Sequence, residues 1–142
     1  MRANITLTPR QLGVAIGAVA VGGAVGTLVR YLSLHLQHEP SLTSSHVTWQ
    51  SQIPWVLLLI NFVGTLIATG LMRGPLRHHD PNDPTRLLLI TGVLGGFTSY
   101  SSLFASLSAI WHLSVPAGLL VGIAAIGSGV VAAWLGLRLG PR

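Results

Sequence analysis

The sequence predicts an all-α membrane protein of four transmembrane helices. Half of its 142 residues are apolar and only 8% are charged, whereas a soluble domain carries about a quarter charged residues. Mean hydropathy is +0.66. The apolar residues fall into four runs, each long enough to cross about 30 Å of hydrocarbon at about 1.5 Å per residue. Residues 1–142 therefore read as a single four-helix transmembrane domain, and whatever the chain does takes place within its spans.

Thr8-Pro9-Arg10-Gln11 has the pattern of a helix start, with Thr at the N-cap, Pro at the first helical position and Gln three residues after the cap. The first span covers residues 12–34. Arg2 and Arg10 before it resemble the start of a signal peptide, but the apolar run is too long and no small-residue cleavage site precedes Arg30, so the span is expected to be retained. The polar segment SLHLQHEPSLTSSHVTWQSQ follows as a surface or interfacial loop. Pro54 opens the second span, 54–72, which carries no charge. RGPLRHHDPNDPTR is a turn-rich loop, and Asp83-Pro84 caps the third span, 85–110. WHLSV reads as a short turn before the fourth span, 116–139.

Cysteine is absent, which excludes disulfides and thiolate metal sites. The net charge of +5 comes from eight arginines, since lysine is absent too. These charges flank apolar runs instead of forming a basic face, so nucleic acid is not the expected partner. With four spans, Arg2, Arg10, Arg73, Arg77, Arg86, Arg138 and Arg142 share one side and Arg30 stands alone on the other. This bias places both termini in the cytoplasm.

Several polar residues fall at membrane depth, and most have an ordinary explanation. Asn61, with Thr65 one turn further on, suits an interhelical hydrogen bond. Arg30 suits snorkelling to the interface. The glycines of GGAVG, GLLVG and GSGVV suit close helix contacts. Ser106 and Ser108 need only bond back to their own helix, and His78 and His79 sit in a solvated loop.

The stretch GGFTSYSS, residues 95–102, is different. Tandem glycines followed by Thr98, Ser99, Tyr100, Ser101 and Ser102 favour a broken helix, and such backbone survives at membrane depth only where protein or a water-filled cavity satisfies it. Breaks of this kind are where channels and transporters bind ions. Glu39, Asp80 and Asp83 all lie in loops, so the spans contain no carboxylate. The remaining groups are mainly uncharged donors, which suit a small anion without identifying it. No nucleophile–base pair or metal-ligand cluster converges within the spans, so no enzyme is expected.

These motifs, in this order and at this length, resemble the CrcB/Fluc fluoride channel family. GGAVGTLVRY is similar to the family's first-span signature, INFVGTLIATG to its second, TGVLGGFTSYSSLF to its third-span break and AIGSG to a Gly-Ser pair in the fourth. The resemblance implies an antiparallel dual-topology dimer with two pores in the cell inner membrane, exporting cytoplasmic fluoride passively. It also implies anion-facing roles for Asn61, Tyr100, Ser102 and Ser128, with Thr65 beside Asn61. A structural sodium ion would be held at the dimer interface by the carbonyls of Gly95 and Thr98.

Two features depart from that pattern. The family's second pore phenylalanine falls at Leu103, with Phe104 displaced by one residue, about 100° around a helix. The arginine bias also fixes one orientation, whereas a dual-topology homodimer needs balanced charge. Together they favour a heterodimer with an oppositely oriented paralogue over a homodimer. The alternatives are a non-conducting partner subunit and a small multidrug-type proton-coupled transporter, and the latter needs an embedded glutamate that this chain lacks.

Overall fold

A computed structural model describes residues 8–35 and 48–140. Arg2, Glu39, Arg142 and most of the polar segment after the first span lie outside the described residues, as does the side chain of Tyr100. All regular structure among the described residues is helical, and four helices are long and apolar enough to cross a membrane: Pro9–Leu34, Trp55–Arg73, Pro84–Leu113 and Val115–Leu139.

Helix α1 (Pro9–Leu34) begins with a reciprocal cap. The Thr8 hydroxyl accepts the Gln11 N–H at 3.3 Å, and the Gln11 carbonyl oxygen Oε1 accepts the Thr8 N–H at 3.0 Å. A 3₁₀ turn (Trp49–Gln52) leads into α2 (Trp55–Arg73). Asp83 then caps the third span, accepting the N–H groups of Thr85 and Arg86 at 2.8 and 3.3 Å. Partial desolvation raises the Asp83 pKa, but these hydrogen bonds, one from the Thr85 hydroxyl and the His79 charge outweigh it and leave the carboxyl below its usual range.

The third span is not uniform. It starts as an α-turn (Pro84–Arg86), widens into a π-helical stretch (Leu87–Leu94) and returns to an α-turn over Gly95–Phe97. Thr98 and Ser99 are extended, with ψ of 140° and 107°. Helix resumes as α3 (Tyr100–Leu113). The turn expected over WHLSV shrinks to Ser114, because helix continues through Trp111–Leu113. Ser114 serves both sides of this joint: its N–H bonds the Ile110 carbonyl at 2.8 Å, and its hydroxyl caps α4 (Val115–Leu139).

Glycines set how closely the helices approach. A Cβ at Gly22 would lie on the Leu88 carbonyl oxygen and 2.9 Å from the Gly92 Cα. A Cβ at Gly96 would lie 3.1 Å from the Gly23 Cα, so α1 and the first half of the third span touch backbone to backbone. On α4, Gly136 faces Thr69 and the Leu66 carbonyl of α2, and Gly118 lies against Trp111 of α3. Gly127, in the GSG motif, instead faces open space.

Two apolar clusters complete the interior. Leu57, Leu103 and Ala125 join α2, α3 and α4. Ile110, Ala117 and Val121 form the other, with Trp49 from the 3₁₀ turn and Ile53 just after it packed against it. Most remaining large apolar side chains are exposed, among them Leu120, Ile123 and Ile126 on α4. In water such a surface would be a liability, whereas hydrocarbon solvates it.

Candidate functional site

The interruption in the third span is held by Asn61. This side chain is 8% exposed. Its Oδ1 accepts the Ser99 N–H at 3.0 Å, and its Nδ2 donates to the Ser99 carbonyl at 3.5 Å. In a continuous α-helix the Ser99 N–H would bond the Gly95 carbonyl. Asn61 takes that proton, so the Gly95 carbonyl loses its helical partner. Gly64, one turn after Asn61 on α2, makes room for the break: the Thr98 methyl and the Phe97 ring edge rest where a Cβ would sit.

Ser99 is the hub of the site. It is buried, and its Oγ accepts the Ser102 N–H at 3.3 Å as the N-cap of α3. The same oxygen lies 3.0 Å from the hydroxyls of both Ser101 and Ser102. Three hydroxyl protons serve two contacts, so at least one remains for a ligand. Asn61 Nδ2 carries a second proton that its contact with Ser99 does not use. The Thr98 hydroxyl is already committed to the Leu94 carbonyl at 2.9 Å. The site thus offers uncharged donors, with Asn61 and Ser99 buried and Ser101 exposed.

The residues singled out from the sequence divide into two groups. Asn61 and Ser102 come together through Ser99. Thr65 lies one turn along α2, where its carbonyl accepts the Thr69 hydroxyl at 2.8 Å. Ser128 donates to the Ala125 carbonyl of its own helix at 2.8 Å and makes no hydrogen bond to the serine cluster among the described residues. Gly95 is exposed, with only the Ile90 carbonyl, at 3.8 Å, near a Cβ position. Sequence reasoning did not separate Ser99 and Ser101 from their neighbours. The available signal was the N-cap preference of serine, which Ser99 meets where helix restarts.

Leu103 and Phe104 differ sharply in burial. Leu103 is 5% exposed and fills the cluster with Leu57 and Ala125, whereas Phe104 is 67% exposed. Restoring the aromatic with Leu103→Phe therefore enlarges a filled core position. It is expected to lower stability by about 1–3 kcal/mol, read as a lower thermal midpoint in detergent. An unchanged or raised midpoint would show that the cluster has room for a ring.

A family model described as "CrcB-like protein, Camphor Resistance (CrcB)" matches residues 17–137. The chain is 35% identical over 123 residues to a "Fluoride-specific ion channel FluC" of Thermus thermophilus, covering 86% of this chain and 90% of that protein. A protein of the same description from Francisella tularensis subsp. holarctica is 35% identical over 95 residues, covering 64% of this chain and 78% of the other. One from a Chelativorans species is 28% identical over 122 residues, covering 85% and 91%. With the family match running through all four helices and a 35% identical relative covered almost end to end, this chain belongs to the CrcB-like family.

Proposed function

We propose that this chain is a subunit of a fluoride-specific channel that lets cytoplasmic fluoride leave the cell passively and so limits its toxicity. The observation that carries this reading is the relationship to fluoride-specific channels over nearly the whole chain. The donor-rich, carboxylate-free cluster around Ser99 supports it. Fluoride is small and strongly hydrated, so a pathway must offer hydrogen-bond donors in place of water without a fixed charge that traps the ion. Asn61, Tyr100 and Ser102 are assigned to that pathway, with Thr65 and Ser128 along its walls.

The finer reading places the Thr98–Ser99 interruption at mid-membrane depth in an antiparallel dual-topology dimer with two pores. The cytoplasmic membrane is its location, with both termini inside. A sodium ion between the subunits fits the residues present. The Gly95 carbonyl is released by Asn61, Thr98 is extended beside it, and the exposed glycine leaves its backbone approachable. Carbonyl oxygens suit a hard cation, which would supply fixed positive charge near the two anion routes. Leu103 lies in the core of its own subunit, so Phe104 is the ring left on the surface for a neighbour. With the arginine bias, this favours an oppositely oriented paralogue as partner.

The test is efflux from liposomes loaded with fluoride or chloride and followed by ion-selective electrodes. This chain together with its partner subunit is expected to release fluoride and retain chloride. No fluoride release from the pair would overturn the channel reading. Robust release by the chain alone would remove only the obligate-partner element.

A further inference from the structure

We propose that the cleft between the C-terminal ends of α2 and α4 is a binding site for an anionic phospholipid. The cleft has a volume of about 580 Å³ and is lined by Thr69, Met72, Arg73, Arg77 and Leu137. It combines two guanidinium groups with two apolar side chains, Met72 and Leu137, that are 42% and 46% exposed. It lies where two apolar helices end, at the level a lipid headgroup occupies.

The carboxylates among the described residues are engaged elsewhere. Asp83 accepts from the backbone of Thr85 and Arg86, and Asp80 accepts from the N–H of Asn82. Among the described residues, neither Arg73 nor Arg77 has a carboxylate partner. Other arginines near this end are engaged differently: Arg138 lies over the Trp134 ring at 4.7 Å, and Arg86 donates to the His79 carbonyl at 3.3 Å. Arg73 and Arg77 are thus a pair of planar donors with no acceptor among the described residues, both lining one opening.

A phosphate diester satisfies both, since guanidinium groups match phosphate oxygens in paired hydrogen bonds. The apolar walls select among phosphate sources. A soluble phosphate leaves Met72 and Leu137 uncovered, whereas a phospholipid lays its acyl chains along them. Juxtamembrane arginines are drawn to anionic lipid surfaces in general, but here two of them share a formed cleft with a hydrophobic continuation. This site stands independently of the channel reading.

Native mass spectrometry of the purified full chain tests it, with phosphatidylglycerol and phosphatidylcholine of identical acyl chains as probes. The wild-type chain is expected to retain phosphatidylglycerol over phosphatidylcholine by at least about fivefold. Arg73→Gln/Arg77→Gln should erase that preference. Arg10→Gln, which removes an exposed charge outside the cleft, should leave it intact, and excess glycerol phosphate should not displace the lipid. The proposal is overturned by equal retention of the two lipids, by a double variant that binds like wild type, or by an equal loss with Arg10→Gln. It also fails if glycerol phosphate strips the lipid, which would mean a free-phosphate site, or if dimers form lipid-free and the double variant weakens them. If the double variant does not fold, Arg77→Gln, in the exposed turn after α2, is expected to reduce the preference about twofold or more, and no reduction overturns the proposal.

Discussion

Gly26→Leu is expected to leave no folded protein that survives purification. A Cβ at Gly26 would fall on the Val93 carbonyl oxygen, 2.8 Å from the Phe97 nitrogen and 2.9 Å from the Val93 carbonyl carbon. All three atoms are backbone, and they belong to the stretch that leads into the Thr98–Ser99 interruption. Overfilled cores usually lose about 1–3 kcal/mol because side chains give way. Here none can, so the loss should reach at least about 3 kcal/mol out of a typical 5–15 kcal/mol. Gly13→Leu is the control, because a Cβ at Gly13 has no neighbour within 4 Å. Thermal melts and size-exclusion profiles in detergent read both variants. A Gly26→Leu protein that is monodisperse with a wild-type midpoint would show that the close approach of α1 to the third span is not required.

Asn61→Asp should abolish fluoride efflux while keeping the fold. The carboxylate retains an oxygen to accept the Ser99 N–H, the shorter of the two contacts that hold the break. It loses the Nδ2 donor and introduces a negative charge into the proposed anion route. Two like charges about 4 Å apart at an effective dielectric constant near 20 repel by about 4 kcal/mol, so flux should fall on the order of a thousandfold. The assay is best run at alkaline pH, which keeps the carboxyl ionised. Asn61→Leu offers the contrast. It strands a buried N–H at a cost of about 1–3 kcal/mol, so stability and flux should fall together. Wild-type fluoride resistance in cells carrying Asn61→Asp would reduce Asn61 to a clamp on Ser99 that never meets the ion.

Helix number was legible in the sequence because lipid imposes a simple rule on each apolar run. A run near 20 residues with few charges has one economical conformation, and its ends are set by local chemistry. The Thr8–Gln11 cap and the Asp83–Pro84 start are such local signals, and both occur where the sequence places them. Chemical class was legible as well, since a chain whose three carboxylates all fall outside its apolar runs has no embedded acid to offer a proton or cation.

Contacts between distant segments were not legible. The hydroxyls of GGFTSYSS look alike along the chain. Ser99 becomes the hub only because Asn61, 38 residues earlier, reaches its backbone. Leu103 and Phe104 are adjacent in sequence, yet one is buried and the other exposed, because the restart of helix at Tyr100 sets the rotation of everything after it. The phospholipid cleft likewise unites Arg73 and Leu137, which stand far apart along the chain. Periodicity, caps and composition are properties of neighbours along the backbone and can be read one segment at a time. Which polar group meets which carbonyl depends on how the segments dock, and in this chain glycine-to-backbone contacts made across the bundle govern that docking.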